Sequence, residues 1–402
     1  MDAIYENAML TIIAAAGRDE TYGLPGVSRR ARTPQPIIKQ PGMTIIWKIP
    51  NPRRTIKSSR WATRGWTFQE ALLSQRRLVF LDDQVYFECN TMNCCETAAV
   101  PLHTTHANPE YKTFITLQTG VLSNTVPEVV YRHEVSARCM LWMTMVQYFS
   151  IILEYSARKL RFDTDSLNAF RGVIRQYSKR EQAMFSIMGL PYPAASDARI
   201  DMFLWALSWY HNQTIWGGNR KPRRRHEFPS WAWVGWEGQV KYENDPKFQP
   251  CSDNMIASLS FEDENGQVVE LTKLQGLDTR IYPALKMNAP VLPSALFSYD
   301  PSSDQKWSWT LNVNTKLTGG ARLYLSQGPD SEAQFAAEMK EGDKWRCTYT
   351  GSAAEHSYIV VLGPHPDITG SWLRAGVFII YCSYEMMVPW MEDIDWEISR
   401  IL

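Results

Sequence analysis

From about residue 240 onward the chain is a succession of short apolar segments broken by turn residues: SLSFEDENGQVVEL, WSWTLNV, ARLYLS, SYIVVLG and VFIIYC. Side chains alternate across a strand, so runs this short and this rich in Val, Ile and aromatics read as strands rather than as one stripe of a helix. They predict a β-rich C-terminal region, residues 229–402. Its first segment, PSWAWVGW at 229–236, reads as a strand with Trp231 and Trp233 on one face and Gly235 breaking the run. At least two of Trp231, Trp233 and Trp236 are expected to be buried where this region meets the part before it.

That preceding part, 101–228, is expected to be mainly helical. Residues 129–157 and 165–177 carry helical periodicity, as do 197–210, where Phe203, Leu204, Leu207 and Tyr210 recur at helical spacing. Residues 103–128 look irregular.

Residues 1–100 combine both patterns. Residues 2–8 read as the end of a helix with Ile4, Tyr5 and Ala8 on one face, and 10–16 as a short buried strand closed by Gly17. Residues 18–59, rich in Pro, Gly and Arg, read as a long surface loop with one strand candidate at 43–49. Thr67-Phe68-Gln69-Glu70 matches a capping box, with Thr67 as N-cap and Glu70 at N3 of a short helix ending near Ser74. Two strand patterns, 78–81 and 85–89, flank Asp82-Asp83-Gln84 and predict a hairpin. The whole is an α+β chain.

The 42 lysines and arginines balance 42 acids, so no net field draws the whole chain to nucleic acid or an anionic membrane. The start lacks the basic region of a signal peptide, and apolar runs such as LTIIAAAG are too short to span a bilayer. Seven irregularly spaced Cys fit reduced thiols in the cytoplasm better than a secreted disulfide scaffold. No membrane partner is expected.

Several clusters allow chemistry and have a plainer structural reading beside it. Glu70 suits the capping box, or a catalytic carboxylate at a pocket edge. Trp61 and Trp66 suit core packing, or stacking on the ring of a ligand. Arg64 suits a phosphate, or an acid such as Asp82 or Asp83. Gly65 suits a turn or a close backbone approach before the helix. Cys89, Cys94, Cys95, His103 and His106 fit no standard zinc spacing, and no metal site is assigned. The basic run from Arg220 to His226 reads as a solvated loop rather than a nucleic-acid patch, so nucleic acid is disfavoured as a partner. Common motifs such as G-x-S-x-G, the P-loop and H-E-x-x-H are absent.

The stretch WATRGWTFQEALLSQRRLVFLDDQVYFEC resembles the closing block of the fungal heterokaryon-incompatibility (HET) domain. Trp61, Arg64, Gly65, Trp66, Thr67, Gln69 and Glu70 carry the likeness. IYENAMLTIIAAAG resembles the family's preceding block, and YSARKLRFDTDSLNAFRG and FPSWAWVGW resemble segments that commonly follow the domain. The family's opening blocks are not matched, so residues 1–100 look like the C-terminal part of a HET domain. The resemblance implies a role in nonself recognition and programmed cell death, through self-association or protein partners. HET domains in turn resemble TIR domains, some of which cleave NAD with a glutamate. Glu70 would correspond to that glutamate, and Trp61, Arg64 and Trp66 to a nucleotide contact. This implies a partial TIR-like α/β remnant of NAD glycohydrolase ancestry, with NAD as a substrate if any activity persists. No cofactor is required, and catalysis is expected to be absent or latent here.

Overall fold

The computed structural model describes residues 1–27, 29–90, 92–97, 121–122, 137–194, 199–212, 222–243, 258–274, 276, 280–302, 307–314, 317–342, 344–353, 356–382, 387 and 394–402. The chain is α+β and divides into two units. The first comprises residues 1–136 and 157–176, the second 137–156 and 177–402. Among the described residues, no helix is long and apolar enough to cross a membrane.

The first unit opens with helix α1 (Asp2–Asn7) and strand β1 (Thr11–Ala14). Residues 18–59 are more ordered than a surface loop. They contain a hairpin of β2 (Ile37–Gln40) and β3 (Met43–Ile46), then helix α2 (Pro52–Ser58). Asn51 caps α2 by accepting from the Arg53 amide, and Pro52 suits its first turn. These Asn and Pro residues read as loop punctuation in sequence because caps and loops share them.

Helix α3 (Thr67–Leu73) leads into β4 (Arg76–Phe80), β5 (Val85–Cys89) and β6 (Asn93–Cys95). The sheet order is β1-β4-β5-β6, with β1 parallel to β4 and the rest antiparallel. Among the described residues strand β1 is therefore an edge. Thr11 and Ile13 face inward, while Ile12 is 57% exposed and Leu10 42%. Over β1 only alternate residues are thus covered, as one-sided packing requires, while Ala15 and Ala16 beyond it are both buried. Ile13, Ile56, Trp61, Ala71, Val79 and Tyr86 pack together as this unit's core.

Two of the expected helices differ. Residues 165–177 form two short helices, Asp165–Asn168 and Arg171–Ser178, with the turn between them closed by Phe170 N–H donating to Leu167 O. Residues 129–136 and 103–120 lie outside the described residues, and the helix expected at 129–157 is described over Ala137–Ser156.

The second unit holds that helix, helix Arg199–Leu207, and several short strand pairs. These pairs are β7 (Met184–Ile187) with β8 (Leu190–Pro193), β9 (Tyr210–His211) with β12 (Val240–Lys241), and β10 (Arg223–Arg224) with β11 (Trp236–Glu237). Tyr210, expected on a helix, thus lies in a strand.

The expected β-rich region is a ten-stranded sheet. Its strands are β13 (Ser258–Glu262), β14 (Val268–Glu270), β15 (Ala284–Leu292), β16 (Phe297–Tyr299) and β17 (Trp309–Asn314), then β18 (Leu317–Leu325), β19 (Arg346–Ala353), β20 (His356–Pro364), β21 (Ser371–Tyr381) and β22 (Trp396–Ile401). They run in the order β14-β13-β15-β19-β20-β21-β18-β17-β16, and β22 pairs with both β15 and β21.

Trp231, Trp233 and Trp236 are all buried, but 229–236 is not a strand. The backbone coils through a short 3-10 turn, Trp233–Gly235, and sends each indole to a different neighbour. Trp231 meets Phe261, Trp233 donates to Gly189 O at 2.9 Å, and Trp236 donates to Ser230 O at 2.9 Å. Gly235 passes so close to Pro229 O that a Cβ there would lie 2.4 Å away.

Candidate functional site

The corner at residues 61–70 starts with a 3-10 turn, Trp61–Thr63, that lowers Trp61 into the core of the first unit. Its indole N–H emerges on the other side and donates to Glu70 Oε2 at 2.9 Å. Glu70 sits one turn into α3 and is half-buried. The Tyr5 phenol on α1 lies against the same carboxylate. Burial raises the Tyr5 pKa above its ordinary value, and the charge of Glu70 with its hydrogen bond raises it further. Ser74 Oγ donates to Glu70 O at 2.7 Å and also meets Thr11 Oγ1 at 2.6 Å, tying α3 to β1.

This geometry replaces the capping box. Trp66, not Thr67, is the N-cap, and its side chain makes no capping bond. Thr67 is the first helical residue, and its buried hydroxyl lies 2.6 Å from Trp61 O and 2.8 Å from Arg64 O. With Thr67 turned back into the preceding turn, Glu70 is turned toward Trp61 and Tyr5. The T-F-Q-E spacing is met, but stronger partners outside the helix take both side chains.

The segment 157–176 completes the corner. Gly65 N–H donates to Lys159 O at 2.9 Å and Lys159 N–H to Thr63 O at 2.7 Å, a small parallel bridge. Gly65 makes the close approach its sequence position suggested, since a Cβ there would lie 2.3 Å from Leu160 Cδ2. Trp66 Nε1 donates to Asp165 Oδ2 at 3.0 Å, and Gln69 Nε2 to Ala169 O at 2.9 Å. The Arg158 guanidinium lies over the Phe68 ring at 4.7 Å and donates to Thr67 Oγ1.

Of the four residues singled out in sequence, Trp61 and Glu70 therefore meet directly, whereas Trp66 is turned to Asp165. Arg64 is exposed and, among the described residues, pairs with neither Asp82 nor Asp83; its carbonyl serves Thr67 and Arg158. Tyr22 takes Asp82 instead, and among the described residues Asp83 Oδ1 has no hydrogen-bond partner. Tyr5, Arg158 and Asp165 were not singled out. Each nevertheless lay inside a stretch quoted for the resemblance, Tyr5 in IYENAMLTIIAAAG and Arg158 and Asp165 in YSARKLRFDTDSLNAFRG.

The remaining candidates fall elsewhere. Cys89, Cys94 and Cys95 lie on β5 and β6 outside any disulfide among the described residues, and burial raises the pKa of the last two. His103 and His106 lie outside the described residues. No metal-holding group of three His, Cys, Asp or Glu occurs among the described residues. Arg220 and Lys221 also lie outside them. In the rest of that basic run Arg223 and His226 are exposed, as a solvated loop would have them, but Arg224 and Arg225 turn inward. Arg223 pairs with Glu237 at 2.7 Å, Arg224 donates to the carbonyls of Arg225, Gly235 and Phe228, and buried Arg225 donates to Trp236 O. Backbone carbonyls that need donors, invisible in sequence, draw the Arg224 and Arg225 guanidiniums inward.

No curated protein and no solved structure matches the chain. Residues 1–70 match the family model described as Heterokaryon incompatibility protein (HET), and the match ends on Glu70.

Proposed function

We propose that this chain is a heterokaryon-incompatibility protein of fungal nonself recognition and programmed cell death. It acts in the cytoplasm by self-association or by binding a protein partner. The observation that carries this reading is the HET match over residues 1–70, the segment that also holds the open edge of the first sheet. Strand β1 has a partner on one side only among the described residues, and Leu10 and Ile12 are exposed beside it. An open edge with apolar side chains is a template for pairing with another chain.

The TIR-like NAD glycohydrolase using Glu70 is the competing reading. Glu70 is partly accessible, but Trp61 and Tyr5 already engage its carboxylate, which suits a structural tie. A nucleic-acid role for the Arg220–His226 run has less support, because Arg224 and Arg225 are spent on backbone carbonyls.

Inducible expression in a fungal host, scored by growth arrest and vital-dye uptake, tests the proposal. Wild-type protein should kill, and Ile12→Lys should kill less while melting normally. Harmless expression of well-folded wild-type protein would refute the role. Robust NAD cleavage by the purified chain, abolished by Glu70→Gln at unchanged melting temperature, would put the enzyme first.

A further inference from the structure

The β2–β3 hairpin is apolar on both faces and buried on neither. Ile37 pairs with Ile46, Ile38 with Ile45, Lys39 with Thr44 and Gln40 with Met43. Alternation puts Ile37 and Ile46 on one face, Ile38, Ile45 and Met43 on the other. Every residue from 33 to 48 is exposed, including Trp47 at 70%. Gly42, at φ +79°, makes the tight turn after Pro41 at the tip. An isolated two-stranded hairpin is marginal in water, and this one hides no apolar side chain to stabilise it.

Its base is nevertheless fixed. Thr33 N–H donates to Asp82 O at 2.8 Å, and Gln84 Nε2 donates to Pro50 O at 3.0 Å. Both acceptor and donor sit in the β4–β5 turn. The hairpin therefore projects from a rigid support rather than trailing from a loose loop.

Charge identifies what it meets. Residues 21–69 contain ten of the chain's lysines and arginines and none of its acids. Nine of the ten are exposed, among them Lys39 and Lys48 on the hairpin and Arg53 and Arg54 beside it on α2. A second copy of the same segment would bring like charges together. A nucleic acid would satisfy the charge, but Trp47 is the one aromatic in residues 33–48, and the Ile and Met side chains that make up the blades have no π-face on which bases stack. A bilayer interface covers both faces of a hairpin at once, takes a tryptophan at headgroup level, and lets lysines extend their charges to the surface. Anionic lipid supplies the complementary field.

We propose that the β2–β3 hairpin is a peripheral membrane anchor that inserts its isoleucine-rich blades into the interface of an anionic bilayer. This goes beyond the HET reading and does not rest on it. It also departs from the whole-chain expectation of no membrane partner, which averaged the local charge away.

Co-sedimentation of the full chain with phosphatidylcholine vesicles, with and without phosphatidylserine, tests it. The chain should bind the phosphatidylserine vesicles and release at high salt. Ile38→Asp/Ile45→Asp and Lys39→Glu/Lys48→Glu should each weaken binding at least about tenfold, with unchanged melting because the side chains are exposed. Absent binding, binding indifferent to phosphatidylserine, or binding that survives both double variants would overturn the proposal. So would a wild-type oligomer that Ile38→Asp/Ile45→Asp makes monomeric without any vesicle binding, which would assign the hairpin to a second copy. Single-stranded RNA binding lost in both variants, with no vesicle binding, would assign it to nucleic acid.

Discussion

The Trp61 indole N–H and the Tyr5 phenol converge on one carboxylate, that of Glu70, so a single side chain joins α1, the 3-10 turn and α3. Removing the acceptor strands two donors. Glu70→Ala is expected to cost about 1–3 kcal/mol, the range for leaving a buried donor such as the Trp61 indole unsatisfied. Glu70→Gln keeps a carbonyl oxygen for the indole and should cost clearly less. Urea denaturation of the two variants checks the order; equal and negligible losses would show that the tie carries no stability.

Arg77 and Glu88 face each other across β4 and β5, both almost wholly buried, with Nη1 3.7 Å from Oε1. Burial depresses the Arg77 pKa, and Glu88 opposes that shift. The guanidinium also donates to the carbonyls of Ala71 and Leu72 at the end of α3. Glu88 accepts from Tyr86 Oη and from the Val121 and Leu122 amides. Arg77→Met would leave a buried carboxylate without its cation and is expected to cost about 3–5 kcal/mol. Arg77→Met/Glu88→Gln should recover part of that loss in the same denaturation assay, because the remaining group is uncharged.

His211 gives the second unit an acid sensitivity. Burial, then the neighbouring Arg374 and Arg225 charges, lower its pKa to about 3. In the unfolded chain it returns to roughly 6.5. Below that value the unfolded state takes up a proton that the folded state refuses, so stability falls with falling pH between about 6.5 and 3. Above about 6.5 the contribution is fully present. The slope approaches about 1.4 kcal/mol per pH unit inside the window. Glu262, held down to about 2 by Arg400 and Lys286, adds a loss of the same sign only at lower pH, below the ordinary carboxylate range. Denaturation at pH 7 and pH 5 should therefore separate them: wild type weakens, and His211→Gln weakens less.

Much of the framework was legible because one physical rule governed it. Alternating burial in β5, and Ile13 against Ile12 in β1, follow the two-residue period that the sequence displays. The start of β4 was not, since Arg76 and Arg77 look like solvent-facing charges until Glu88 and the carbonyls of α3 are seen around Arg77. The same blindness affected Arg224 and Arg225. Trp231, Trp233 and Trp236 were legible as buried from size alone, but a coil and a strand expose the same letters. The Thr67–Glu70 spacing signalled a helix start correctly and its bonding wrongly, because Trp61, Tyr5 and Arg158 compete from outside the four-residue window. The basic bias of residues 21–69 was in plain sight and was cancelled by acids elsewhere in the chain.

The first unit is assembled from two stretches of chain, with residues 137–156 assigned elsewhere between them. Its HET-matched part is thus no transplantable cassette. A gene fragment ending near residue 100 would encode every strand of the four-stranded sheet and still lack Asp165, Lys159 and the Ala169 carbonyl. Trp66, Gly65 and Gln69 would each lose an acceptor at once. Recombination that shuffles such segments between genes must carry residues 157–176 along, or supply a substitute lid of matching carbonyls and carboxylates.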